Sequence, residues 1–143
     1  MTSRSEPLRI AVVCEAPADH EIATHLADRL LLDRLPWLHD VSLDHVRRWQ
    51  GLLAHEPFLP WDQVTRLARE QGLRVMGKFG AESGAMDAAS ARRALLLFAT
   101  LPVALRPDAV MLIRDTDGRE ERCVGLQQAR TDPDRQWPFP IVI

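Results

Sequence analysis

Two aspartates separated by one residue are the feature of this sequence best suited to chemistry. Asp115 and Asp117 follow a short apolar run, 109–113, whose length and branched side chains predict a buried strand. If strand geometry continues through Asp117, both carboxylates point to the same side, because side chains alternate along a strand. Such carboxylates repel each other unless they are protonated or bridged by a cation, typically Mg²⁺. An Asp-rich turn without any metal is the alternative interpretation.

A second acidic group follows another apolar run near the N-terminus. Residues 8–14 predict a first buried strand, Glu15 comes directly after it, and Asp19 lies where a helix should begin. Asp19 is equally well explained as a helix cap or first-turn residue. Open α/β sheets build their sites at the carboxyl ends of their strands. We therefore expect Glu15, Asp115 and Asp117 to meet at one edge of the sheet.

These residues match a family pattern. The motif at 15–19, Glu-Ala-Pro-Ala-Asp, and the later Asp115-Thr116-Asp117-Gly118 resemble the two acidic motifs of Toprim domains. The pattern is most similar to Toprim nucleases of the OLD (overcoming lysogenization defect) family, whose first motif has glycine where this chain has alanine. The resemblance implies a Rossmann-like fold and Mg²⁺- or Mn²⁺-dependent cleavage of phosphodiester bonds in nucleic acid, with DNA favoured over RNA. A role in phage defence or in a toxin system is part of the same expectation.

The resemblance also implies a role for each acid. Asp115 and Asp117 would hold Mg²⁺, and Glu15 would be a second metal ligand or a general acid/base. Asp19 would be a ligand directly or through water. Lys78 and Arg119 are the candidate phosphate contacts, and Arg114 could supply the cationic group only if it faced the site. Because Phe79 occupies the position of the hydroxyl residue in the P-loop pattern, the Gly-Lys segment around Lys78 is not an NTP-binding loop.

Composition sets limits on the class of protein. The 143 residues are 46% hydrophobic and 27% charged, which is ordinary for one globular domain. A formal charge of -2 gives no overall attraction to nucleic acid, so binding would need a local basic patch or metal ions. No signal peptide and no apolar run long enough to span a bilayer are visible, and we expect a cytoplasmic protein without membrane contact.

The elements that would position the acids alternate along the chain. Apolar residues recur at helical spacing from Ile22 to Leu31, from Ala88 to Phe98 and from about Arg119 to Arg130, and a last strand is expected at 139–143. Asp87 is expected to cap the second of these helices. The stretch 36–84 is expected to be a variable helical insertion, with short helices near 43–53 and 61–71. This order predicts an α/β fold with a mostly parallel sheet and helices on both faces.

Three functions are consistent with these features. The first is a Toprim-like, metal-dependent nuclease. The second is a non-catalytic Toprim-like subunit that needs a partner chain, which is favoured by Ala16 and by a C-terminal part that is minimal or truncated relative to the family. The third is an enzyme that uses the same acids on small phosphorylated molecules. We also expect the chain to form a homo-oligomer or to bind a partner protein, because its last strand would leave a sheet edge uncovered.

Overall fold

The computed structural model of the chain describes residues 6–74 and 85–143. Five strands and four helices lie in the described ranges, with short 3-10 turns between α1 and β2 and between α3 and β4. Their bounds are β1 Leu8–Cys14, α1 Pro17–Arg34, β2 Arg47–Gln50, β3 Leu59–Pro60, α2 Trp61–Glu70, α3 Ala85–Ala99, β4 Ala109–Leu112, α4 Glu120–Arg130 and β5 Ile141–Val142.

The sheet has the order β2-β1-β4-β5, and β3 pairs with the C-terminal end of β1. Each of these pairings is parallel. Strand β1 lies at the centre, which fits its run of buried residues from Ala11 to Cys14. The predicted α/β fold with a parallel sheet is confirmed.

Helices cover both faces of the sheet, but unequally. One face carries the larger core, where α2, α3 and α4 pack on alternate residues of β1 and β4 such as Val13 and Leu112. The other face carries a small cluster of Val12, Cys14 and Met111, and the helix packed against it is α1. Helix α1 buries mainly Thr24 and small residues, while its larger apolar side chains remain exposed, including Ile22, Leu26 and Leu30. None of the helices in the described ranges has the length and apolar character needed to cross a membrane.

Three local predictions were wrong. The helix expected near 43–53 is a 3-10 turn, Leu43–His45, followed by strand β2, so the stretch expected to be helical contributes two strands to the sheet. Asp87 does not cap α3, because that helix already begins at Ala85. Strand β4 ends at Leu112, and strand geometry does not continue through Asp117, whose φ is 47°.

The helix expected near 61–71 is confirmed as α2, and Gly72 ends it with a φ of 67°.

Candidate functional site

The ends of β1 and β4 define the candidate site. The two strands are parallel neighbours in which Val13 pairs with Leu112, and the Ile113 N–H donates to the Val13 carbonyl at 2.8 Å. The residues that follow them, Glu15 on one side and Arg114 and Asp115 on the other, therefore leave the sheet at the same carboxyl edge. This adjacency is what a shared acidic site requires.

The Asp115–Asp117 segment is a tight turn. The Asp117 backbone N–H donates to Asp115 Oδ1 at 2.9 Å, and positive φ values at Asp117 (47°) and Gly118 (75°) reverse the chain. Arg122 Nη1 donates both to the Asp115 carbonyl at 2.9 Å and to Asp117 Oδ2 at 3.0 Å. Both aspartates are exposed. One Asp115 oxygen and one Asp117 oxygen thus have protein partners, as in an Asp-rich turn.

Arg114 connects the glutamate to two elements that sequence reasoning did not place in the site. Its Nη1 lies 3.3 Å from Glu15 Oε1, and its Nε lies 3.6 Å from Asp87 Oδ1 in the first turn of α3. The guanidinium also lies over the indole of Trp61, 5.5 Å from the ring centroid. Trp61 is fixed in turn, because its Nε1–H donates to the Ile113 carbonyl at 2.7 Å. A partly buried guanidinium between two carboxylates thus lies just after the end of β4.

The turn that follows β1 brings Asp19 towards the same end of the sheet. Helix α1 begins at Pro17, with Ala16 in extended backbone (φ −146°), so alanine fits where the family has glycine. Asp19 lies in the first turn of α1, where a negative side chain is favourable. Burial, with the charges of Asp19 and Glu15 adding to it, raises the pKa of the Cys14 thiol to about 11. Asp19 thus lies four residues after Glu15, in the helix that begins near the carboxyl end of β1.

The two basic candidates have different outcomes. Arg119 is exposed at the start of α4, where its backbone N–H donates to the Thr116 carbonyl at 2.7 Å. Lys78 lies outside the described residues. Arg122, which contacts Asp117, was not singled out as a site residue, and Arg114, which contacts Glu15, was considered only as a cation that could serve if it faced the site. The position of Arg114 directly after the buried strand could have indicated that it lies at the site. For Arg122, the indication was its place in the expected helix, five residues after Asp117.

A divalent cation can be tested against this donor set. The four predicted ligands offer carboxylate oxygens, which are the ligands that Mg²⁺ and Mn²⁺ prefer. In 6–74 and 85–143, no three side chains of His, Cys, Asp or Glu are grouped so as to hold a metal ion. The ligand chemistry therefore fits, while Glu15 and Asp117 pair with arginines and Asp115 accepts from the Asp117 backbone N–H.

Comparison with known proteins assigns no family to this geometry. The chain matches no protein-family model, no curated protein and no solved structure. The resemblance to Toprim domains therefore stays a prediction from the two acidic motifs.

Proposed function

We propose that the chain is a divalent-cation-dependent phosphodiesterase acting on nucleic acid, with its site at the carboxyl edge of β1 and β4. Glu15, Asp115 and Asp117 would hold Mg²⁺ or Mn²⁺, and Asp19 would be a further ligand. The observation that carries the proposal is the parallel pairing of β1 and β4, which brings the two acidic segments to one edge of the sheet. A bound cation would polarise the phosphate group of the substrate and lower the pKa of a bound water.

The two arginines offset part of the negative charge at this edge when no cation is bound. Clustered carboxylates repel one another, and Arg114 and Arg122 offset that repulsion by pairing with Glu15 and Asp117. Glu15 and Asp117 remain accessible, with side-chain exposures of 40% and 64%. Both carboxylates can therefore exchange an arginine for a cation without unfolding the sheet, because such exposed pairs are weak.

A non-catalytic binding subunit is the second candidate. It is favoured by the protein partners that Glu15, Asp115 and Asp117 already have. In that case the same edge would serve recognition, and a partner chain would supply the chemistry. The exposed apolar residues of α1, such as Ile22 and Leu26, provide a surface on which a partner or a second copy could pack.

Plasmid cleavage with Mg²⁺, compared with the same reaction in EDTA, tests the proposal. We expect Mg²⁺-dependent nicking that falls by at least about 100-fold in Glu15→Gln and Asp115→Asn. Asp134→Asn is a matched control, since Asp134 donates its N–H to Asp132 Oδ1 at 3.0 Å in a similar turn after α4. Activity should be retained in this variant.

The outcomes separate the candidate functions. Cleavage that persists in Glu15→Gln would contradict the proposed site. A folded wild-type chain that never cuts DNA or RNA would favour the binding subunit. Hydrolysis of a phosphomonoester without cleavage of nucleic acid would indicate an enzyme of small phosphorylated molecules that uses the same acids.

A further inference from the structure

An open cavity of about 370 Å³ lies beside Arg114 at the carboxyl edge of the sheet. Its lining comes from the ends of β1 and β4 and from helices α2 and α3, through Glu15, Trp61, Asp62, Ser90 and Arg114. The volume is sufficient for a phosphate group with part of its ester. Of these five residues, only Glu15 belongs to one of the two acidic motifs.

Asp87 and the Trp61 ring restrict the orientation of Arg114 at the wall of this cavity. Its contacts with Glu15, Asp87 and the Trp61 ring come from three different elements, and its side chain is 21% exposed. A guanidinium fixed in this way loses little conformational freedom when it binds a ligand. Arg114 is therefore preorganised rather than a mobile surface arginine.

The hydrogen-bonding capacity of Arg114 is not used up by these contacts. Its buried Nε has no hydrogen-bond partner among the described residues, and the nearest Asp87 oxygen is 3.6 Å away. Guanidinium N–H groups form a planar fork that matches the oxygens of a phosphate. Ser90, on α3, adds a hydroxyl that can donate to a further oxygen.

The charges around the cavity decide how an anion could enter. Glu15 and Asp62 line it and Asp87 lies against Arg114, so among the described residues three carboxylates and one guanidinium lie at or beside the cavity. A free phosphate would be repelled by this surplus of negative charge. A phosphate that arrives with a divalent cation is not repelled, because the cation neutralises the carboxylates.

We infer that this cavity is a phosphate subsite in which Arg114 and Ser90 bind the phosphate oxygens and which fills only together with a divalent cation. The inference rests on the proposed function, because it places the substrate's phosphate group beside the acids that hold the cation. Asp87 and Trp61 act as positioning residues for the guanidinium.

Calorimetric titration of the whole chain with inorganic phosphate, with and without saturating Mn²⁺, tests this inference. We expect phosphate to bind the wild type with Mn²⁺ and to bind at least tenfold more weakly without it. With Mn²⁺ present, Arg114→Gln should weaken phosphate binding by about 10- to 100-fold. Arg114→Lys should show an intermediate loss, because it keeps the charge and loses the fork.

The control variant is Arg66→Gln. Arg66 is an exposed arginine that pairs with Glu70 within α2, and its replacement should leave phosphate binding unchanged. A parallel titration with Mn²⁺ alone should give an affinity for Arg114→Gln no weaker than that of the wild type, because removing a competing cation cannot weaken the carboxylate site. Circular dichroism of each variant verifies its fold.

Unchanged phosphate affinity in folded Arg114→Gln, or phosphate binding by the wild type that does not depend on Mn²⁺, would overturn the inference. Either result leaves the proposed function intact if Mg²⁺-dependent cleavage still requires Glu15. The converse result, Mn²⁺-dependent phosphate binding through Arg114 without cleavage of any nucleic acid, would overturn the proposed nuclease and support the subsite.

Discussion

The ion pair between Arg47 and Asp28 gives the sharpest prediction about how the sheet is held together. Arg47, on the edge strand β2, donates from Nε and Nη2 to the two oxygens of Asp28 on α1, both at 2.7 Å. The side chains are only 10% and 18% exposed. Hydrogen bonding to Asp28 is the main cause of the raised pKa of Arg47. The substitution that tests this ion pair is Asp28→Asn, which keeps the shape of the side chain and removes its negative charge.

The expected loss of stability follows from the ion pair that Arg47 would lose. Removing one partner of a buried ion pair costs about 3–5 kcal/mol, because the remaining charge is left in a poorly solvated place. Asp44, at 3.1 Å, still contacts Arg47, and Asp28 keeps some contact with water, so the cost is reduced. We expect the free energy of unfolding to fall by about 2–3 kcal/mol. For a chain of this size, that corresponds to a melting temperature lower by about 6–12 °C.

Urea unfolding followed by circular dichroism measures this change, and Asp44→Asn is the matched control. Asp44 contacts the same arginine, but its side chain is 90% exposed, so its loss should cost less than about 1 kcal/mol. Equal losses in the free energy of unfolding from the two substitutions, or an Asp28→Asn chain as stable as the wild type, would show that the Arg47–Asp28 pair does not stabilise the packing of β2 against α1.

Three further predictions concern other described residues. Burial lowers the pKa of His20 below its ordinary 6.5, so the unfolded chain binds the proton more readily and stability should decline as the pH falls below 6.5. His20→Gln should flatten that decline in urea titrations between pH 7 and pH 5.5, and an unchanged slope would contradict the assignment. Cys123 is exposed, whereas burial raises the pKa of the Cys14 thiol to about 11. At pH 8 a disulfide reagent should therefore modify Cys123 rapidly and Cys14 slowly, and fast modification of both thiols would be inconsistent with the fold. Gly51→Ala should lower the free energy of unfolding by about 1–3 kcal/mol, since a Cβ there would lie 2.7 Å from the Phe58 carbonyl oxygen; a neutral effect in urea unfolding would argue against that close approach.

The parts of the fold that were predictable are those in which one local signal dominates. Strand β1 was predicted with its observed bounds, because an uninterrupted apolar centre is typical of a parallel strand buried on both faces. Helix α2 and its end at Gly72 followed from helical spacing and a glycine that adopts positive φ.

Strand β2 could not be predicted in this way. Its sequence, Arg-Arg-Trp-Gln, buries Arg47 and Gln50, which carry no apolar signal. Arg47 is buried because Asp28 reaches it from α1, nineteen positions earlier in the chain. The spacing of Trp49 with the leucines that follow favoured a helix, and a long-range ion pair outweighed that local pattern.

The candidate site, like the fold, was predictable only in part. That Glu15 and Asp115 lie at one sheet edge was predictable, since both follow buried parallel strands. The directions of the side chains were not, because they depend on Arg114 and Arg122, whose partners are set by tertiary packing. Asp87 had a sufficient local explanation in helix capping, so its contact with Arg114 could not be foreseen.

The most direct test of the central claim is a crystal structure of the chain soaked in Mn²⁺, with anomalous differences measured at the manganese edge. We expect a peak at the carboxyl edge of β1 and β4, in contact with carboxylate oxygens of Glu15 and Asp115 or Asp117. Glu15 should have turned from Arg114 towards the metal, with Arg114 still against Asp87 and Trp61. A map without such a peak at saturating Mn²⁺, with the Glu15–Arg114 pair and the Asp115–Asp117 turn unchanged, would contradict a metal-dependent site.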